Sequence, residues 1–472
     1  MIPIVTPEEM AAVDRAAPEP VDVLIGRAAG AVAREALDLL GGAYGRRVVV
    51  LAGKGNNGND GRVAARLLER RGVRTRVVEV ADTAGLGAMA DVGPGCDLLI
   101  DAAFGTGFRG TWEPPSPGAT PVLAVDIPSG IDGLAGQACG RPWHAVRTVT
   151  FAALKPGLVQ GDGPAHCGEV VVADIGLDTS SARAHLVESA DVAVLVPARD
   201  PSAHKWRNAV WVVAGSPGMP GAGWLCATAA MRGGSGYVRS SSPGLDVAVA
   251  PREAVSTPLP GTGWGAEVAA GAGRFGAVVV GPGLGRADGL RAELADLVAD
   301  LGVPVLLDGD ALAVLGGEPV GHRGPLVLTP HDGEYASLMG EPPGADRLAA
   351  ARAAAQRYDA VVLLKGPTTA VARPDGTVLV ARSGDERLAT AGSGDVLSGL
   401  IGAHLALGAG PAAAAAAAAH LHGLAGRMAG GHGVVAEDIA AALGPARDLV
   451  GDPHARSAVA SAPMDIDGPF AP

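Results

Sequence analysis

RVVVLAGKGNNGNDG, residues 47–61, joins a continuous apolar run to a turn rich in glycine and asparagine. The apolar run is typical of a strand buried on both faces of a parallel sheet. Helical patterns lie on either side, over Thr6–Leu40 and Arg62–Arg71. Further strands are predicted at Arg74–Val80, Asp97–Ala103, Pro121–Ile127, Val146–Ala152 and Gly168–Ile175. Strands that alternate with helices predict an α/β fold with a doubly wound parallel sheet in three layers.

A second α/β series follows a polar, proline-containing stretch around residues 180–203. Its predicted strands are Ala209–Gly215, Gly276–Gly283, Val303–Leu312, Pro325–Pro330 and Ala360–Gly366. A hairpin over Ala370–Arg382, with Asp375-Gly376 as its turn, and alanine-rich helices over residues 395–430 complete the series. We therefore predict two doubly wound α/β domains, over residues 1–190 and 200–450, and a disordered tail over residues 451–472.

The composition limits the class of protein. Of the 472 residues, 48% are apolar and 18% are charged, which argues against disorder over most of the length. The net charge of −12 argues against nucleic acid as a partner. We expect no secretory signal, because the N-terminus has neither a basic n-region nor an apolar h-region. We expect no membrane span, because no stretch reaches about 18 strongly apolar residues. The four cysteines form no CxxC pair, and this favours a reducing, cytoplasmic compartment over a zinc or disulfide framework.

Polar residues follow several predicted strands of the first series. The turn GKGNNGNDG follows the first strand, Asp101 ends another before the glycine loop Gly105–Gly110, and Asp126 and Ser129 follow a third. In an open parallel sheet, ligands bind at the carboxyl ends of the strands. Glycines allow backbone N–H groups to approach a phosphate, while amide and carboxylate oxygens suit a polar ligand or a cation. No GK[ST] sequence follows the turn, so this is not a Walker A motif.

The motifs GKGNNGNDG, DAAFGTGF, VDIPSGID and TFAALKPGL together resemble those of the NAD(P)H-hydrate epimerase family, over about residues 1–180. The resemblance implies a Rossmann-like domain with Asp126 as the acid/base group. It also implies a potassium ion held by Asn57, Asp101 and Ser129, which are hard oxygen ligands. The implied substrate contacts are Asn56, Asn57, Gly58, Asn59, Asp60, Gly105, Thr106, Gly107, Phe108, Arg109, Gly110, Thr111 and Asp126.

One position departs from the usual motif of that family. Asn59 stands where the pattern NNGGD has its second glycine. Asparagine tolerates the left-handed backbone region better than other non-glycine residues, so we expect the turn to be kept. The departure leaves open an N-terminal domain that serves as a binding scaffold without epimerase activity.

The most informative stretch of the second series is TAGSGDVLSGLIGAHLALG, residues 390–408. A glycine turn, Gly392–Gly394, opens a helix, and the N–H groups there predict an anion site. Asp395 lies beside it at the helix start, where it could cap the helix or serve as the base for an attacking hydroxyl. A base next to phosphate-binding dipoles is what phosphoryl transfer to a hydroxyl requires, and we favour that role.

This loop resembles the ribokinase-like superfamily, and further segments such as VVVGPGLG, LLDGDAL and LTPHDGEYASLMG resemble ADP/ATP-dependent NAD(P)H-hydrate dehydratases, over nearly all of residues 200–450. The resemblance implies Mg²⁺ with ADP or ATP as the cofactors. It assigns the hydrated substrate to Ala222, Gly283, His331 and Asp395. It assigns the adenine nucleotide to Lys365, Gly366, Pro367, Thr368, Thr369 and Gly394.

Together the two resemblances imply a bifunctional repair enzyme for hydrated NADH and NADPH. The first domain would interconvert the R and S epimers, and the second would dehydrate the S form while ADP is converted to AMP and phosphate. The alternative is a ribokinase-like small-molecule kinase whose N-terminal domain only binds. The expected partners are NADHX or NADPHX and ADP or ATP, and we expect a homo-oligomer.

Overall fold

The computed structural model describes residues 1–80 and 95–451. The chain divides into two compact units, with the division after Arg183. Residues 184–190, which the sequence placed with the first domain, therefore belong to the second unit. The predicted tail lies outside the described residues, apart from Gly451.

The first unit is built on a six-stranded sheet in the order β3-β2-β4-β5-β6-β7, in which every neighbouring pair is parallel. Its elements are β1 (Ile2–Ile4), α1 (Pro7–Ala16), α2 (Val21–Leu40), β2 (Arg47–Ala52), α3 (Asn56–Arg70), β3 (Arg74–Glu79), β4 (Leu98–Ala102), β5 (Val122–Val125), β6 (Arg147–Phe151), α4 (Pro156–Val159), α5 (Gly163–His166) and β7 (Glu169–Ala173).

The first helical stretch is two helices rather than one. Thr6 and Glu9 form a capping box that starts α1. Pro18 and Pro20 lie between the helices, where proline disfavours continued helix because it lacks an N–H group. The alanine-rich face of α2 packs on the sheet core together with α3.

The second unit is also α/β. Its elements are β8 (Ala184–Leu186), α6 (Ser189–Leu195), β9 (Ala209–Val213), α7 (Pro220–Arg232), β10 (Tyr237–Ser241), β11 (Val255–Ser256), α8 (Trp264–Gly271), β12 (Ala277–Val280), α9 (Leu290–Asp300), β13 (Val305–Leu307), α10 (Asp310–Leu315), β14 (Leu326–Leu328), α11 (Asp332–Met339), α12 (Arg347–Tyr358), β15 (Val361–Leu364), β16 (Thr369–Ala372), β17 (Val378–Ala381), α13 (Ser393–Ala406), α14 (Pro411–Met428) and α15 (Ala436–Gly451).

The strands of the second unit run in the order β8-β17-β16-β15-β14-β13-β12-β9-β10-β11. The pairs on both sides of β16 are antiparallel, as the predicted hairpin requires, and the other neighbouring pairs are parallel. Helices α7, α13 and α14 contribute small apolar side chains to one large core. Gly399 allows α13 to approach α7 closely, since a Cβ there would overlap the carbonyl oxygen of Cys226. The two parallel α/β units confirm the predicted fold class.

Candidate active sites

The first site lies where β2 ends and α3 begins. A Cβ on Gly58 would overlap the carbonyl oxygen of Gly53, and a Cβ on Gly53 would overlap that of Ala103. These glycines therefore let the start of α3 lie directly against the ends of β2 and β4. Within the described residues, the backbone N–H groups of Asn56, Asn57 and Gly58 have no acceptor. Such N–H groups at a helix N-terminus are able to bind an anion.

Asn59 does not use the left-handed conformation that asparagine tolerates. It lies inside α3 and has no positive φ. Its side-chain oxygen instead accepts a hydrogen bond from Arg62 Nη1 at 3.1 Å, and Arg62 also forms an ion pair with Glu79. A helical residue needs no glycine, so the departure from the family motif has no backbone cost at this position.

A cavity of about 500 Å³ opens beside this helix start. Asp126 enters it directly after β5 with a φ of 67°, a strained conformation for a non-glycine residue. Its Oδ1 atom lies 2.6 Å from Nζ of Lys155, whose side chain is only 2% exposed. Thr150 donates a further hydrogen bond to the same oxygen at 3.0 Å. The carboxylate is therefore held in one orientation at the cavity wall.

The cavity gathers many of the residues predicted to bind substrate. Those that line it are Asn56, Asn57, Asp60, Gly105, Thr106, Gly107, Phe108 and Asp126. Gly58, Asn59, Arg109, Gly110 and Thr111 are not part of the lining. Apolar side chains of α1 and α2, including Met10 and Leu24, complete the wall. No residue of these two helices was among the predicted site residues.

Asp60 is the most perturbed acid of this cavity. Burial raises its pKa to about 8, and the nearby carboxylates of Asp126 and Asp14 add to the shift. Asp60 therefore carries a proton at pH 7, whereas Asp126 forms an ion pair with Lys155. Two carboxyl groups whose environments differ in this way are the usual arrangement for acid and base catalysis.

Behind the cavity wall, Asp101 is completely buried. Its two carboxylate oxygens accept hydrogen bonds from the Oγ and backbone N–H of Ser129, at 2.6 and 2.9 Å. Burial raises the pKa of Asp101, so the ionised form needs more charge compensation than these bonds supply. Both polar atoms of the Asn57 side chain are buried without a hydrogen-bond partner. A cation bound by the Asp101 carboxylate and by Oδ1 of Asn57 would satisfy these oxygens, whereas Nδ2 of Asn57 would still need an acceptor.

The second site lies at the start of α13. Gly392 precedes the helix with a φ of 89°, and within the described residues the N–H groups of Gly394 and Asp395 have no acceptor. Burial raises the pKa of Asp395 to about 7, with a further contribution from Asp308. The helix start thus offers N–H donors for an anion next to a carboxyl group that titrates near neutral pH.

A charged cluster lies beside this turn. Lys365 Nζ is 2.8 Å from Asp308 Oδ1 and 3.5 Å from Glu334 Oε2. Ser398 donates to the other oxygen of Asp308 at 2.7 Å. Burial alone would raise the pKa of Asp308, but the interaction with Lys365 outweighs it and holds the pKa below its usual value. The same ammonium group is 3.6 Å from where a Cβ of Gly394 would lie.

The remaining predicted residues of the second unit lie in loops after strands and at helix starts. Gly283 has a φ of 60°, and a Cβ there would come within 2.8 Å of the Cβ of Ala222. His331 is exposed and caps α11, where its Nδ1 accepts from Gly333 and its backbone N–H donates to Glu334. Arg347 holds the loop at Gly366, because it donates to the carbonyl oxygen of Lys365 at 2.6 Å. Pro367, Thr368 and Thr369 continue this loop into β16, and Thr368 is buried.

Three charged residues were not identified as site residues from the sequence. Lys155 lies in the motif TFAALKPGL, and Asp308 lies in LLDGDAL at a strand end. Glu334 lies in LTPHDGEYASLMG. Their positions in quoted motifs were the available signal, but only the fold brings each to a partner from a distant segment.

The comparisons with known proteins match both units. Residues 210–443 match the family described as NAD(P)H-hydrate dehydratase, and residues 21–91 and 82–157 match the YjeF-related protein N-terminus. The bifunctional NAD(P)H-hydrate repair enzyme Nnr of Mycobacterium tuberculosis is 40% identical over 402 residues, which cover 80% of this chain and 82% of the relative. The chain belongs to the family of bifunctional NAD(P)H-hydrate repair enzymes.

Other members of the repair-enzyme family support this assignment. The Nnr protein of Mycobacterium leprae is 38% identical over 438 residues, which cover 87% of this chain and 90% of the relative. Among solved structures, the ADP/ATP-dependent NAD(P)H-hydrate dehydratase of Bacillus subtilis, co-crystallised with ATP/Mg²⁺, is 28% identical with a TM-score of 0.50. The match covers 56% of this chain and 97% of the Bacillus subtilis chain. No helix in residues 1–80 and 95–451 is both long and apolar enough to cross a membrane.

Proposed function

We propose that this chain repairs hydrated NADH and NADPH in two steps. The first unit interconverts the R and S epimers at C6 of the hydrated nicotinamide ring. The second unit removes water from the S form while ADP or ATP is consumed. The observation that carries the proposal is Asp395, an acid with a pKa of about 7 beside the N–H groups that open α13. Those features match the needs of phosphoryl transfer to a hydroxyl group.

In the first unit, Asp126 and Asp60 have opposite roles. Asp126 takes the proton of the C6 hydroxyl as the C6–N1 bond breaks, and N1 receives a proton from Asp60. The ring is then an open aldehyde that can turn about the C5–C6 bond. N1 adds to its other face, the two protons return, and the other epimer results. Lys155 keeps the Asp126 carboxylate oriented through its ion pair.

Potassium fits the first unit as a structural ion. Asn57, Asp101 and Ser129 would hold it, because they combine an unpartnered buried amide with a buried carboxylate. The ion would supply positive charge behind the helix start. There it would anchor Asn57 at the cavity wall, where Asn57 Cβ lies 3.6 Å from the position of a Cβ on Gly105.

In the second unit, Asp395 removes the proton of the C6 hydroxyl as the oxygen attacks the terminal phosphoryl group of the nucleotide. ADP leaves as AMP. The ring nitrogen lone pair then expels phosphate from C6, and loss of a proton from C5 restores the dihydropyridine. Gly394 and Lys365 would bind the phosphates with their N–H and ammonium groups, and Lys365–Thr369 would bind the rest of the nucleotide. Ala222, Gly283 and His331 would bind the hydrated substrate.

Magnesium would enter the second site with the nucleotide. Within the described residues, no three His, Cys, Asp or Glu side chains come together as a metal site. Mg²⁺ typically keeps several waters and binds through substrate phosphates and one or two carboxylates. Glu334 is a carboxyl group near Lys365 that could make such a contact, although burial raises its pKa and Mg²⁺ would have to favour its charged form.

The test is incubation of the full chain with mixed R and S epimers, with and without ADP and Mg²⁺. We expect complete return of the NADH absorbance only with nucleotide, with one AMP and one phosphate released for each NADH. Conversion that stops when the S form is consumed would reduce the first unit to a binding scaffold. Accumulation of a phosphorylated substrate without NADH would favour the kinase alternative.

A further inference from the structure

Arg347, the first residue of α12, links two segments of the second unit. Its Nη1 and Nη2 atoms donate to the two carboxylate oxygens of Asp332, at 3.1 and 2.9 Å. Nη2 also donates to the carbonyl oxygen of Lys365 at 2.6 Å. Asp332 is the first residue of α11, and Lys365 directly follows β15. Arg347 therefore joins the start of α11 to the loop proposed to bind the nucleotide.

The guanidinium group of Arg347 is packed into this position. The Arg347 side chain is only 15% exposed, and a Cβ on Gly366 would lie 2.7 Å from its Nη2 atom. A guanidinium group binds a carboxylate through two parallel N–H bonds and has further donors for a third acceptor. A lysine ammonium group lacks this planar fork. The three contacts of Arg347 with Asp332 and Lys365 therefore require an arginine.

These contacts fix the peptide group between Lys365 and Gly366. The N–H group of Lys365 donates to the carbonyl oxygen of Pro330 at 2.8 Å, so Lys365 is held by a neighbouring segment on both sides. In a trans peptide the C=O and N–H groups point in opposite directions. The N–H group of Gly366 therefore points away from Arg347, and no backbone carbonyl of residues 1–80 and 95–451 accepts it. It is a donor that can bind an oxygen atom of the nucleotide.

We propose that Arg347 is a positioning residue of the dehydratase site. It fixes the Lys365–Gly366 peptide so that the N–H group of Gly366 faces the nucleotide, and Asp332 anchors the guanidinium group. The inference rests on the proposed dehydratase function. It adds a residue that acts on ADP binding through the loop.

The test compares Arg347→Met with the wild-type full chain by calorimetric titration with ADP and by dehydratase kinetics on the S epimer. We expect the Kd and KM for ADP to rise about tenfold, in line with the loss of a charge-assisted hydrogen bond. The kcat and the KM for the S epimer should change less. Arg347→Lys keeps the charge and one donor without the fork, so its KM for ADP should lie between those of the wild type and Arg347→Met.

Asp332→Asn tests the anchor. It leaves Arg347 in place but weakens the paired hydrogen bonds, so the KM for ADP should rise less than in Arg347→Met. The double variant should have the same KM as Arg347→Met, because Asp332 then has no guanidinium group to hold. Additive effects of the two substitutions would contradict the anchoring role.

Arg352 provides a matched control on the same helix. It is also partly buried, and its Nε atom donates to the carbonyl oxygen of Gly376 at 2.9 Å, in the hairpin turn between β16 and β17. Arg352→Met should lower stability without raising the KM for ADP. An unchanged KM in Arg347→Met, or an equal rise in Arg352→Met, would overturn the inference.

If Arg347→Met does not fold, Arg347→Lys decides the question, and a wild-type KM for ADP in that variant would overturn the inference. A wild-type chain that neither binds ADP nor forms NADH would instead refute the proposed function.

Discussion

Both units place a lysine against a carboxylate beyond the carboxyl ends of the strands, but only in the first unit is that carboxylate the proposed base. In the first unit, Lys155 pairs directly with Asp126, the proposed base. In the second, Lys365 pairs with Asp308 and Glu334, and no ion pair holds Asp395 among the described residues. Pairing favours the charged form of a carboxylate, whereas burial without a partner raises its pKa. The proposed base is therefore held by a lysine in the first unit, whereas in the second unit burial raises the pKa of an acid that no ion pair holds among the described residues.

The largest expected effect is at the unpaired acid. Asp395→Asn keeps the side-chain shape and removes the base, so dehydratase kcat should fall by roughly 10²–10⁴-fold. Affinity for ADP should change little, because the N–H groups of the turn and Lys365 remain. The measurement is single-turnover dehydration alongside ADP titration. Epimerisation by the same variant is the internal control. A fully active variant would reduce Asp395 to a helix-capping residue.

Asp126→Asn tests the paired acid. We expect R-to-S conversion to fall by roughly 10²–10⁴-fold, while dehydration of pure S epimer continues at the wild-type rate. Chiral chromatography of the two epimers measures the first rate, and the NADH absorbance measures the second. Loss of both activities in a folded variant would contradict two independent sites.

Removal of Lys155 should distinguish the contribution of its ion pair to stability from the role of Asp126 in epimerisation. Lys155→Met leaves the carboxylate of Asp126 without its charge partner, and breaking such a buried pair costs about 3–5 kcal/mol. The double variant Lys155→Met with Asp126→Asn has no unpaired charge and should regain part of this stability, but no epimerase activity. Urea denaturation and the epimerase assay provide the two readouts. A single variant as stable as the wild type would show that the ion pair contributes little.

The cation site should have a smaller effect. Potassium at about 100 times its Kd would stabilise the native first unit by about 2.7 kcal/mol. We expect a higher melting temperature in KCl than in NaCl at equal ionic strength. Asp101→Asn should abolish that difference, because it removes the negative charge that faces the ion. If the potassium-dependent shift persists in this variant, the ion binds elsewhere.

The smallest expected effect is the difference between the pH profiles of epimerisation and dehydration, which compares the two units most directly. Asp60 must carry its proton to act as a donor, and its pKa is about 8, so epimerisation should fall as pH rises through about 8. Asp395 must lose its proton to act as a base, and its pKa is about 7, so dehydration should rise as pH increases through about 7. Rates on separate epimers between pH 5.5 and 9.5 measure both limbs. Asp60→Asn should lower the rate of epimerisation at every pH and leave a residual rate without the descending limb. Two profiles of the same direction would contradict the assignments.

Much of the site could be predicted, because the binding groups of a glycine-rich motif at a strand end are supplied by neighbouring residues of that motif. The turns at Asn56–Asp60 and Gly392–Asp395 each start a helix, and a helix start always leaves N–H groups unsatisfied. The motif predicted that Asn59 is part of a turn, whereas α3 already begins at Asn56. Periodicity locates a helix boundary only to within a few residues.

By itself, the sequence determined that the chain forms two parallel α/β units, and it identified the glycine turns and the acids that follow their strands. Apolar runs and helical periodicity are properties of short segments, so they can be recognised without knowing which other segments pack against them. Tertiary structure alone decided which lysine meets which carboxylate, and which acid remains buried without one. Lys155 and Asp126 are far apart in the chain, as are Lys365 and Asp308. Burial and charge pairing set the state of these acids, and both arise only when distant segments pack together.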